Sequence, residues 1–205
     1  QESRGLGDVY KRQQLNRTLA EVKDLFSKYR LSEALMAVYK LFWDEFSSWY
    51  LELIKPGYQQ PIDSKSYQAT LGFFETLLKL LHPFMPFITE ELWQHIGEHK
   101  TGESIMVARM PEPKEYDNAI TERFETSKQI IAGIRTVRLQ KNIPNKESLL
   151  LQVTGEHDKS NDCVIMKLTN LSAIEPVKEK EATAASFLVG TTEYSIPLGN
   201  NIDAV

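Results

Sequence analysis

Residues 31–56 read LSEALMAVYKLFWDEFSSWYLELIKP. Apolar side chains at Leu31, Leu35, Val38, Phe42, Phe46, Trp49 and Leu53 return every three or four positions until Pro56 and Gly57 break the pattern. This spacing predicts a long amphipathic helix. On a wheel of about 100° per residue, Leu31, Leu35, Val38, Tyr39, Phe42, Phe46, Trp49, Tyr50 and Leu53 share one core-facing arc about 100° wide. Glu45, Ser48, Glu52 and Lys55 fall along a neighbouring edge, three or four residues apart and adjacent in space. That edge is either a solvated helix face or a contact surface.

The surrounding segments repeat the pattern. Leu15, Leu19, Val22, Leu25 and Phe26 predict a helix over 14–28, and Leu71, Phe74, Leu77, Leu78 and Leu81 another that ends at His82-Pro83. Pro86 sits at a first helical position and opens a fourth helix reaching about Gly97. Short turns join these helices, as in an antiparallel bundle. Residues 98–117, rich in Gly, Pro, Glu and Lys, read as a connector with a strand-like SIMVA stretch, and the last long helix covers about 119–142 before Pro144. Beyond it the period shortens. LLLQV (149–153), SAIEPV (172–177), SFLVG (186–190) and TEYSIPL (192–198) are strand-like, and 162–168 suits a helix between the first two. The expected fold is therefore mainly α, with a helical bundle over 14–142 and a small α+β subdomain over 143–205. Residues 1–13, QESRGLGDVYKRQ, lack apolar periodicity and read as a disordered leader or an extraneous tail.

Composition narrows the function. The 205 residues carry a net charge of −4, which argues against a protein that holds nucleic acid by a broad positive field, so any RNA contact must be local. The single cysteine, Cys163, excludes an internal disulfide and a cysteine-rich zinc site and suits a reducing cytoplasm. No apolar run is long enough to span a bilayer. There is no glycine-rich phosphate loop and no nucleophile elbow, and His82, His95, His99 and His157 lie on different elements. Asp44-Glu45 and Glu90-Glu91 are adjacent on helices and point apart, so they make poor acid and base pairs. Intrinsic catalysis is not expected. In the last long helix Arg138 projects into the apolar arc of Ile130, Ile131, Ile134 and Val137, so its guanidinium either pairs internally or reaches the rim to meet another domain or RNA.

LLKLLHPFMPFITEELWQHI (77–96) resembles a segment shared by the anticodon-binding domains of class I aminoacyl-tRNA synthetases of the valine, isoleucine and leucine branch. FWDEFSSWYLELIKP (42–56), ESIMVARMPEP (103–113) and IIAGIRTVRLQKNIPNK (130–146) resemble its valine-specific members, and the likeness runs from about residue 14 to about 200. The resemblance implies a bundle that approaches the anticodon stem-loop of a valine-accepting tRNA, joined to the catalytic domain of the same parent chain. Loop bases suit protein readout because they can be unstacked and offered edge-on. It places Glu52, in the WYLE stretch, near the anticodon, with Ser48, Lys55 and Glu45 beside it and Arg135 and Arg138 as further candidates. Valine anticodons end in cytosine, whose exocyclic amine a carboxylate can accept.

The family's HIGH and KMSKS signatures do not occur here, so the resemblance assigns ATP with magnesium, and valine ligation, to the parent enzyme and no cofactor to this chain. It also implies a helix ahead of residue 14 and a coiled-coil arm after 199–205, neither expected in this sequence, and an apolar groove where that helix packs. Two other readings stay open: an isoleucine or leucine counterpart, and a helical interaction module that binds no RNA.

Overall fold

The structure, a computed structural model, describes residues 2–56, 59–179 and 183–198, with backbone alone for 2–4. Gly57, half of the expected helix stop, and the tail at 199–205 lie outside the described residues. The chain divides into two compact units: residues 7–117 form one, and residues from 118 onward, with the start of the first helix, form the other. The bundle unit holds α1 (Glu2–Ser27), α2 (Leu31–Lys40), a π-helical stretch (Leu41–Tyr50), α3 (Leu51–Ile54), α4 (Ser64–Leu81) and α5 (Pro86–Ile96). The second unit holds α6 (Asn118–Gln140), β1 (Leu149–Thr154), α7 (Asp162–Thr169), β2 (Leu171–Pro176), β3 (Ala185–Val189) and β4 (Thr192–Ile196).

Two expectations change at once. The division falls at residue 118 rather than 143, because α6 packs on the strands and belongs with them. And the expected disordered leader is helical from Glu2. Its apolar residues are too sparse to make a period, but Tyr10 is 1% exposed. Gly7 brings α1 close to the helix opposite, since a Cβ there would stand 3.3 Å from Leu53 Cβ.

The quoted stretch 31–56 forms one unbroken rod over α2, the π-helical stretch and α3, but its winding is not uniform. Leu51 N–H donates to the carbonyl of Phe46, five residues back. Ser47 Oγ and Ser48 Oγ likewise donate to the carbonyls of Phe42 and Trp43, each at 3.0 Å. An i→i+5 turn holds roughly 4.4 residues, about 82° per residue instead of about 100°. Counted that way from Leu41, the buried residues Leu41, Glu45, Phe46 and Tyr50 fall within about 80° of one another, whereas α-helical winding would spread them over about 180°. Phe42, Phe46 and Tyr50 stack in sequence, with centroids 6.2 and 5.9 Å apart, and meet Phe73 and Phe74 of α4. This column joins Leu19, Val22, Leu25, Ala34, Val38, Leu77 and Leu80 in the bundle core. Each aromatic pair adds about 0.5 to 1.5 kcal/mol beyond its area burial, which offsets the poorer hydrogen bonds of the wide turns.

The winding carries polar groups inward with the rings. Glu45 is 7% exposed and its carboxylate accepts the Tyr10 hydroxyl. Lys11 Nζ lies over the Tyr50 ring, 4.3 Å from its centroid, and donates to the Tyr50 hydroxyl at 2.9 Å and to Asp8 Oδ1 at 3.2 Å. Burial lowers the Lys11 pKa against the pull of Asp8. Burial, reinforced by the charge of Asp8, pushes the Tyr50 hydroxyl up to about 12, although its hydrogen bond with Thr70 acts the other way.

Asp63 caps α4, its carboxylate accepting Ser66 N–H at 2.8 Å, and Pro86 opens α5 as expected. The SIMVA stretch makes a 3₁₀ turn at Ile105–Val107 instead of a strand. The Glu90 carboxylate on α5 fixes that turn by accepting Ser104 Oγ at 2.7 Å and Ile105 N–H at 3.1 Å. The connector then returns along α1, where Asn16 accepts Lys114 N–H at 3.0 Å and Gln13 accepts Asp117 N–H at 2.7 Å.

In the second unit the sheet order is β2-β1-β4-β3, with β1 and β2 parallel and the remaining pairs antiparallel. The β1-α7-β2 crossover supplies the parallel pair. Gly133 of α6 admits Phe187 of β3, whose ring lies 2.3 Å from where a Cβ would stand. Ile130, Ile131, Ile134 and Val137 are buried, and Arg138 is buried with them at 4% exposed. Its guanidinium donates to the backbone carbonyls of Pro144, Glu147, Thr169 and Asn170 at 2.8 to 3.2 Å. The partners are carbonyls of the loop before β1, Pro144 and Glu147, and of the C-terminal end of α7, Thr169 and Asn170.

Two outcomes follow from this packing. Arg138→Met should lower unfolding free energy by about 3 kcal/mol, because it strips several buried carbonyls of their donor; an unchanged midpoint in urea would contradict the staple. Tyr50 contributes its full stability below pH 10 and loses it as pH rises towards about 12, since its folded pKa stands above its ordinary value. Stability measured from pH 9 to 12 should therefore fall less steeply in Tyr50→Phe than in the parent sequence.

Candidate nucleic-acid interface

Of the six residues singled out in the sequence, three remain together on one face. Continuing the mixed winding count through α3 puts Ser48, Glu52 and Lys55 on the side opposite Leu41 and Tyr50, within about 75° of one another. Ser48 and Lys55 are exposed and Glu52 is half-buried. Ser48 spends its hydroxyl proton on the Trp43 carbonyl, which leaves the oxygen lone pairs outward as acceptors. Lys55 is the last residue of the rod, where the backbone turns extended at ψ 123°.

Glu45 does not share this edge. The expected edge assumed uniform α-helical winding; the wide turns swing Ser48 about 115° from Glu45 instead of about 60°, while Glu45 stays one turn from Leu41, in the core beside Tyr10. Arg138 is likewise internal, its donors committed to four carbonyls. Of the two alternatives left by the sequence, internal pairing is the one observed, with carbonyl rather than carboxylate acceptors. Arg135 lies on the exposed side of α6 and reaches the Leu168 carbonyl at 3.5 Å. Both arginines belong to the second unit.

Two aromatic residues that sequence reasoning did not place on this face also stand outward, opposite Leu41. Tyr39, assigned to the core arc by the uniform wheel, and Trp43, not assigned at all, are 52% and 57% exposed. Their rings are nearly parallel, 6.4 Å apart with an interplanar angle of 8°. The signal that could have found them is the four-residue spacing 39, 43, 47, 51, 55, which runs along one side of the rod outside the core column. Trp49 is half-buried, in keeping with packing rather than display.

The face thus carries a carboxylate acceptor, a hydroxyl, an ammonium and two flat rings. Such a set can accept a base amino group, meet a phosphate and stack on a base; it holds no arrangement for acid-base or nucleophilic catalysis. Among the described residues, no group of three or more His, Cys, Asp and Glu side chains is placed to hold a metal ion, and no helix is long and apolar enough to cross a membrane.

Residues 8–154 match the family described as the anticodon-binding domain of tRNA ligase. The chain is 66% identical over 190 residues to a valine-tRNA ligase of Parabacteroides distasonis, covering 93% of this chain and 22% of that protein. It is 55% identical over 189 residues to the valine-tRNA ligase of Porphyromonas gingivalis and 32% identical over 193 residues to that of Thermotoga maritima, each covering 92% of this chain and 22% of the relative. The chain therefore spans about a fifth of the length of the relatives it matches. With helical bundle, small α+β unit and family match in agreement over most of its residues, the chain belongs to the anticodon-binding domains of tRNA ligases.

Proposed function

We propose that this chain reads the anticodon loop of a valine-accepting tRNA, as part of a parent enzyme that ligates valine to that tRNA. The observation that carries the reading is the outward face bearing Ser48, Glu52 and Lys55 on a rod held rigidly by its opposite, aromatic face. Glu52 accepts the exocyclic amine of the cytosine that ends the valine anticodons, and Ser48 and Lys55 flank it as acceptor and phosphate partner. The half-buried setting of Glu52 favours this role, because partial exclusion of water strengthens a hydrogen bond to a charged acceptor. Arg135, exposed in the second unit, is a further phosphate-contact candidate. High identity to valine-tRNA ligases supports the choice of valine over isoleucine or leucine. Amino-acid activation, with its ATP and magnesium, belongs to the remainder of the parent chain, and the cytoplasm is where such an enzyme meets its tRNA.

Overall charge sets the character of the contact. At net −4 the chain gains little from general phosphate attraction, so affinity depends on few local contacts and the salt dependence of binding is shallow. The test is a comparison of hairpins that carry the valine anticodon with hairpins altered only at its last base. The intact chain should prefer the valine hairpin, and Glu52→Ala should remove about 1 to 3 kcal/mol of that preference. Equal binding of all hairpins by the intact chain, or undiminished preference in Glu52→Ala, would sink the assignment.

A further inference from the structure

The Glu52 face holds more than its polar edge explains. Tyr39 and Trp43 lie on it, half in water and stacked on each other, while Phe42, Phe46 and Tyr50 of the same rod are packed inward. Aromatic rings offer large apolar area, and leaving two of them side by side in solvent forgoes that burial unless something else covers them. We propose that Tyr39 and Trp43 form a stacking platform for an unpaired base of the same RNA loop that Glu52 reads, an inference that rests on the reading given above.

Three observations favour RNA as the occupant. The first is continuity: Trp43 and Glu52 share a face nine residues apart, on the order of 12 Å along the rod, which equals three or four base steps of about 3.4 Å. One loop strand laid along the rod can place one base on the ring while another meets the carboxylate. The second is geometry. The two rings are 8° from parallel with centroids 6.4 Å apart, so their faces are turned the same way for a base to stack on, and every base has a π-face to offer. The third is charge. Lys40 and Lys55, both exposed, stand at the two ends of the Tyr39 to Glu52 span and suit the phosphates of a strand running between them. Asp44, exposed beside Trp43, keeps this strip from binding phosphate generally, so stacking and not charge must hold the base there.

Stacking on one aromatic side chain is worth about 1 to 3 kcal/mol per base, which corresponds to roughly 5- to 150-fold in affinity. With the valine-anticodon hairpin, Trp43→Ala in the otherwise intact chain should bind at least about 5-fold more weakly, and Trp43→Phe, which keeps an aromatic face, should recover most of the loss. Preference at the last anticodon base, set by Glu52, should survive in both variants. Indole emission gives an independent reading that needs no weakening of the complex: hairpin binding should quench the parent chain and leave the emission of Trp43→Phe nearly unchanged. Normal hairpin affinity in Trp43→Ala together with no quenching in the parent would overturn the platform while leaving the Glu52 reading intact, and would turn the pair into a contact for a protein segment. Absence of hairpin binding by the parent chain would overturn both.

Discussion

Between Leu41 and Tyr50 the backbone closes on carbonyls five residues back, and the column Phe42, Phe46, Tyr50 against Phe73 and Phe74 holds it in that wider turn. Isolated π-helical turns are poor in hydrogen-bond geometry and occur mostly as single bulges. Ten consecutive residues in this state need compensation. It comes from ring-on-ring packing along the column, from two serine hydroxyls that give extra donors to carbonyls at Phe42 and Trp43, and from the seating of Leu41, Glu45 and Tyr50 in the core. Winding and packing are one arrangement: at 3.6 residues per turn the buried set Leu41, Glu45, Phe46 and Tyr50 would spread over about 180° instead of about 80°.

That constraint decides which chemistry faces water. A carboxylate at position 45 becomes a buried partner of Tyr10, and one at position 52 stays at the surface. Tyr39 and Trp43, four residues apart, stand together outside. The rod therefore has an apolar side that fixes its position in the bundle and a mixed aromatic and polar side turned outward. In the second unit a different device supplies rigidity. Arg138 ties carbonyls from the loop before β1 and from the end of α7 to α6, which suits a charge with five fixed donors better than any lysine.

Most of the architecture was legible in the sequence, because apolar periodicity and turn residues act locally. The helices ending at Ser27, Leu81 and Ile96, Pro86 as a first helical residue, and all four strands stand within a few residues of where period and punctuation put them. The SIMVA stretch misled because β-propensity has no meaning without a partner strand, and the Glu90 carboxylate decides its shape instead. Gly133 and Phe187, fifty-four positions apart, explain why α6 goes with the sheet; no local pattern announces such a contact. The candidate site was legible in part. Glu52, Ser48 and Lys55 survive because they share a face under either winding, whereas Glu45 parts from them when the wide turns open its angle to Ser48, and Tyr39 stands away from Ala34, Val38 and Leu41, the buried residues of its own segment. The internal role of Arg138 was one of two readings, and its acceptors, carbonyls from two separate segments, are invisible to composition.

The central claim is that the outward side of the wide-turn rod is the surface that meets RNA. A crystal structure of the chain with a valine-anticodon hairpin tests it most directly, through the distance from the Glu52 carboxylate to the exocyclic amine of the last anticodon base. The account predicts a hydrogen bond of about 2.7 to 3.2 Å, with the 41–50 turns still wound on carbonyls five residues back. An RNA loop seated on another face, or a rod rewound to ordinary α-helix with Glu45 in contact, would contradict it.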